Sequence, residues 1–146
     1  MMDNVIARSQ VVEEAHTWLR TPYHHNQHVK GAGVDCVWLL IEVYKTIGVV
    51  PVDFETGFYT HDWFLHRREE LYLEGVKKYA HPLPEDRKPL PGDIAMYKIG
   101  YTVSHGSIIV SPNLIIHAYR KANQVEIAEM DKELAPYFHS YWTPFK

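Results

Sequence analysis

The distribution of apolar patterns along this chain predicts an α+β domain in which a cysteine-bearing helix packs on a short antiparallel β-sheet. Helical periodicity is confined to the residues before Ala80, and β-like apolar runs separated by Gly, Pro and Asn follow it. The chain has 146 residues, 46% hydrophobic and 23% charged, which suits one continuous core. A single domain over residues 1–146 is therefore expected. The 8 Gly and 9 Pro are scattered among apolar runs, so no linker or repeat interrupts it.

Taken in order, Ser9 is the expected N-cap of a first helix, with Val12, Ala15 and Leu19 at helical spacing, Val11 and Trp18 beside them, and Pro22 beyond its end. Thr21 to Gly33 contains Pro22, Gly31, Gly33 and several polar residues, which favour a surface loop. Asp35 then caps a second, largely buried helix carried by Val37, Leu40, Ile41, Tyr44 and Ile47 and stopped by Gly48. Residues 49–61 are mixed. Asp62 is the expected cap of a third helix running to about Tyr79, with Leu65, Tyr72, Val76 and Tyr79 on one stripe. The nearby aromatics Phe58, Tyr59, Trp63 and Phe64 read as packing residues. Pro82, Pro84, Pro89 and Pro91 close the helical part, and strands are expected at Ile94–Ile99, Gly106–Val110, Leu114–Tyr119 and Val125–Ala128.

Composition excludes several functions. Lys and Arg number 15 against 18 Asp and Glu, and no basic stripe gathers on any element, so nucleic acid is not an expected partner. The N-terminal stretch MMDNVIARSQ lacks the charged and apolar regions of a secretion signal, and no run reaches the roughly 20 apolar residues of a membrane span. Cytoplasmic synthesis without a membrane span is the expectation. The single cysteine, Cys36, cannot form an internal disulfide.

Cys36 falls at the first position of the second helix, where unpaired N–H groups and the macrodipole favour an anion, so a stabilised thiolate and an oxyanion-binding corner are both expected. Two histidines offer it a base. If the turn Ser111-Pro112-Asn113 is a three-residue loop, Val110 pairs with Leu114, and His105 becomes a diagonal neighbour of His117 on the same face. Diagonal Cβ atoms lie roughly 7 Å apart, within reach of an imidazole–imidazole hydrogen bond. One ring would then take the thiol proton while the other fixes its tautomer.

Three stretches, TPYHHNQHVKGAGVDCVWLL, PGDIAMY and SHGSIIVSPNLIIHAY, resemble in content and order the NlpC/P60 peptidase family. They run from residue 21 to residue 119, and the lead-in Thr21-Pro22-Tyr23 looks closest to the phage-associated and gene-transfer-agent branch. The resemblance implies a papain-like fold, Cys36 as nucleophile, His105 as general base and His117 as the residue orienting it. It also implies hydrolysis of amide bonds in peptidoglycan stem peptides with no metal or organic cofactor, and phage-tail proteins as partners delivering a virion-associated or lysis-released enzyme. Tyr23 and Asp35 stand where the family places residues close to the nucleophile and substrate. Val37 and Trp38 replace the family's usual Ser and Gly, and Trp38 forms either a substrate wall or core packing.

Rival readings attach to the same residues. His24, His25 and His28, completed by Asp35 or Cys36, form a candidate zinc site without a recognised spacing. An inactive phage-tail structural or adaptor component, and a thiol amidase or acyltransferase acting on a non-cell-wall substrate, are the other two.

Overall fold

A computed structural model describes residues 4–55 and 71–145. The expected cap at Asp62 and the aromatics Phe58, Tyr59, Trp63 and Phe64 lie outside the described residues.

Helix α1 covers Asn4–Thr17 and buries Ala7, Val11 and Ala15 along one stripe. Ser9 is an exposed residue inside this helix, not its cap, because the i, i+4, i+8 stripe starts a turn earlier, at Ala7. The stretch expected as a surface loop carries a small antiparallel pair, β1 (His28–Val29) and β2 (Gly33–Val34), with Gly31 at φ 81 in the connecting turn. Gly33 is needed for a different reason: a Cβ there would run into the Gln27 and His24 side chains.

Helix α2 covers Cys36–Lys45 and is capped as expected, the Asp35 carboxylate accepting from the Trp38 N–H. Gly48, at φ 77, ends the turn that follows. Helix α3, Leu71–Tyr79, corresponds to the end of the third expected helix.

The expected strands are all present as β4 (Ile94–Ile99), β5 (Thr102–Ser111), β6 (Leu114–Tyr119) and β7 (Gln124–Glu129). Two more were not anticipated, β3 (His81–Pro82) and β8 (Phe138–Thr143). Together they form one antiparallel sheet in the order β3-β8-β4-β5-β6-β7. Its two faces bury different residues. Ile94, Met96, Ile108 and Ile116 join Leu39, Leu40, Val43 and Trp18 in the main core, whereas Ala95, Tyr97, Ile109, Ile115 and Leu134 form a smaller cluster. No helix among the described residues is long and apolar enough to cross a membrane.

The β5–β6 turn reaches the expected register by another route. Ser111 pairs directly with Leu114, leaving a two-residue turn, and an irregularity at Val110 takes up the extra residue. Ile109 and Ile108 then pair with Ile115 and Ile116, the pairing that a three-residue loop would give.

Candidate active site

The β5–β6 ladder begins at Ile108 and Ile116, so the N-terminal part of β5 is not paired with β6. The first residue of α2 packs against this unpaired stretch. Cys36 Sγ donates to Ser104 O at 3.6 Å, and the N–H groups of Gly106, Cys36 and Val37 face the sulfur. The thiol therefore touches main chain on both sides of His105. Gly106 permits the approach, since a Cβ there would lie 2.7 Å from the Tyr72 hydroxyl and 3.1 Å from Leu40 and Met96 side-chain atoms. The Tyr72 hydroxyl in turn donates to Cys36 O at 2.8 Å, holding the first turn of α2 to the sheet.

His105 and His117 are both buried, and their rings meet through Nε2 and Nδ1 at 2.8 Å. With Nε2 engaged, Nδ1 is the His105 nitrogen left to exchange a proton with a thiol. His117 continues outward, its Nε2 lying 2.9 Å from Glu126 Oε2 on the neighbouring strand. Tyr119 stacks on the His117 ring at 4.8 Å and 18°, and Tyr97, directly across from His105 on β4, lies 5.7 Å from it centroid to centroid. Glu126 escaped the sequence reading. Its signal was the alternation of Val125 and Ile127 in a strand already identified, but placing it opposite His117 needs the β6–β7 register.

Burial governs the charge states. It pushes the Cys36 thiol well above its usual range, and the negative charge of Asp35 adds to this, outweighing the three N–H groups. The expected thiolate-stabilising helix terminus is thus overridden by desolvation and by its own capping carboxylate. Burial likewise holds His105 well below the ordinary histidine range, with the neighbouring His117 adding to the effect. His117 is lowered by burial and partly restored by Glu126. The thiol and both imidazoles therefore rest neutral.

The remaining candidates fall into two groups. Tyr23 lies near Cys36 and Asp35, whose charges, after burial, push its phenol upward. Asp35 and Trp38 are scaffolding in position: the Asp35 carboxylate accepts from Trp38 N at 2.9 Å and Asn26 N at 2.7 Å, at 2% exposure. Trp38 is equally buried, its indole N–H bonded to Asn26 Oδ1 at 2.9 Å and its ring stacked on His28 at 3.8 Å. A substrate wall needs an exposed face, so Trp38 serves packing. The loop histidines do not converge on Cys36: His28 lies against Trp38 and Glu42, and no metal-holding group of three or more His, Cys, Asp or Glu occurs among the described residues. An apolar cavity of about 430 Å³ beside Val37, Ile41 and Val76 contains none of Cys36, His105 and His117.

Neither a protein-family model nor a curated protein sequence matches the chain. Solved structures do resemble it. NlpC1 from Trichomonas vaginalis superposes with a TM-score of 0.66 at 18% identity over 98% of this chain, which spans 47% of that protein. The NlpC/P60 domain of the peptidoglycan hydrolase SagA gives 0.61 at 15% identity, covering 93% of this chain and 97% of the domain. The peptidoglycan hydrolase RipB from Mycobacterium tuberculosis gives 0.59 at 16% identity, covering 97% and 67%. At such identities the likeness is one of architecture, and the chain has the papain-like fold of the NlpC/P60 domains.

Proposed function

We propose that this chain is a cysteine hydrolase that cleaves amide bonds in peptidoglycan stem peptides, with Cys36 as nucleophile, His105 as general base and His117 as the residue orienting it. The observation that carries this reading is the seating of a helix-N-terminal thiol against the main chain of Ser104 and Gly106, on either side of His105, whose ring is tied to His117 at 2.8 Å. The substrate class is drawn from the peptidoglycan hydrolases among the structural neighbours.

In the proposed cycle the thiol proton passes to His105 Nδ1 as sulfur attacks the amide carbonyl. A resting neutral pair makes this transfer part of the attack, since no thiolate is stored beforehand. The N–H groups of Cys36 and Val37, which face the sulfur at the start of α2, are the donors this reading assigns to the developing oxyanion. His105 then protonates the departing amine, and a water deprotonated by the same nitrogen hydrolyses the thioester. Tyr23 lies near the sulfur, where it would contact the bound peptide.

The test is hydrolysis of purified peptidoglycan fragments, followed by chromatography of released peptides. Cys36→Ala is expected to abolish turnover and leave the melting temperature nearly unchanged, and surviving turnover would overturn the mechanism. The delivery route proposed with it is carriage in a phage-like particle, and consistent absence of the protein from purified particles would count against that route.

A further inference from the structure

We propose that Glu126 is a positioning residue that fixes the tautomers of both histidines by anchoring a one-directional hydrogen-bond chain at its outer end. The inference deepens the hydrolase reading, and its kinetic consequence rests on that reading.

What each group is able to donate sets the direction of the chain. A carboxylate has no proton to give at neutral pH, so the 2.9 Å contact between Glu126 Oε2 and His117 Nε2 requires the proton to sit on that nitrogen. A neutral imidazole carries a single N–H, which leaves His117 Nδ1 a bare acceptor. Its partner at 2.8 Å, His105 Nε2, must then be the donor. By the same count His105 Nδ1 is bare, which is the form able to take a proton from sulfur. Each link determines the next, and only the last one, Glu126, has no alternative role.

Without the carboxylate the chain loses its direction. A proton on His117 Nδ1, donated to a bare His105 Nε2, would satisfy the same 2.8 Å contact and leave His105 Nδ1 protonated, unable to act as a base. The other neighbours do not decide between the two directions. Tyr119 stacks on the His117 ring and holds its plane, which both tautomers share. Beyond Glu126 lies a cleft of about 250 Å³ lined also by Lys121, Glu129, Lys132 and Glu133; the charge of Glu133 reaches His117, but its hydrogen bond goes to Tyr119 and not to either ring. Glu126 itself is 31% exposed on strand β7 at the sheet edge, so its replacement leaves the core packing intact.

The experiment is nitrogen NMR of the full chain with labelled histidine near pH 7.5, on the unmodified protein and on Glu126→Ala. The expected result is Nε2–H on both His105 and His117 in the former, and tautomer mixtures at both rings in the latter. A proton on Nδ1 of either ring in the unmodified protein, or an unchanged ring pattern in Glu126→Ala, overturns the proposal. Should the alanine variant lose its fold, the pattern of the unmodified protein still decides the direction of the chain.

With peptidoglycan fragments, Glu126→Ala is expected to lower kcat about 10- to 100-fold with KM changed less than twofold. Glu126→Gln, whose amide oxygen accepts the same bond, keeps more of the rate. The acid limb of the pH–rate profile, set by the imidazole pair, moves to lower pH in the alanine variant because the charge that raises His117 is gone, a change that a purely structural role would not produce. If the ring patterns behave as stated and no fragment is cut, the proposed reaction fails and the directed chain stands. If fragments are cut with ring patterns indifferent to Glu126, the reverse holds.

Discussion

The two halves of the candidate site are built from different materials. Among the described residues the hydrogen-bond partners of the Cys36 sulfur are main chain: Ser104 O and the N–H groups of Gly106, Cys36 and Val37. Around the histidines every link is side chain to side chain, from His105 to His117 to Glu126. The first half is thus sensitive to backbone shape, the second to the chemistry of single atoms. The electrostatics divide in the same way. The charge nearest the sulfur, Asp35, has the same sign as a thiolate, whereas the charge at the end of the imidazole chain is the one that stabilises an imidazolium.

The sharpest way to break the backbone half is Gly106→Ala. Its Cβ would press on the Tyr72 hydroxyl and on Leu40 and Met96, and a loss of about 3 kcal/mol is expected from overpacking. Urea denaturation measures it, and an unchanged midpoint would mean that strand and helix do not meet as closely as described.

Next in size is Asp35→Asn. One oxygen still caps α2, but the amide NH₂ faces the Asn26 N–H in place of an acceptor, for an expected loss of about 2 kcal/mol. The same change removes the like charge beside the sulfur, so the pH dependence of iodoacetamide alkylation should move to lower pH. A shift to higher pH would mean that the Asp35 charge does not raise the thiol.

The smallest effect per step comes from acid. Both histidines titrate below their ordinary value in the folded protein, so the unfolded chain binds protons first as pH falls. Their contribution to stability is complete above pH ~6.5 and is lost as pH drops from there toward the folded values. The slope is up to about 1.4 kcal/mol per pH unit for His105 and less for His117, where Glu126 opposes the shift. Denaturation midpoints between pH 7.5 and 5.5 check this, and a flat profile would place both rings in water.

What the amino-acid order disclosed follows the same division between local and distant causes. Helix α2 and its cap were legible because Asp35, the apolar run and Gly48 act within a few residues of one another. The helix-then-strand order and four of the strands followed from period and punctuation alone. Strand β8 was not legible: Phe138-His139-Ser140-Tyr141 shows no clean alternation, and it exists because β4 offers it an edge. In the site, the His105–His117 contact could be reached by counting across one short turn. Glu126 could not, because the β6–β7 connection passes through a 3₁₀ turn and a left-handed Asn123 that no simple hairpin count anticipates. The neutral state of the thiol was hidden for a related reason, since desolvation depends on what the whole fold lays over Cys36.

The irregularity at Val110 has a bearing on how this chain tolerates change. The register that brings the histidines together depends on Ile109 meeting Ile115, and the residues between are divided between an irregularity at Val110 and a two-residue turn. Pro112 and Asn113 are exposed at the tip. Val110 to Asn113 is therefore a length buffer, where a residue gained or lost is taken up before it reaches the phase of the strands, at the expense of the Met130 N–H bond to Asn113 O. Inherited insertions, or a grafted epitope, would be accommodated there while the same change on the histidine side of Ile109 would turn one imidazole to the opposite face of the sheet.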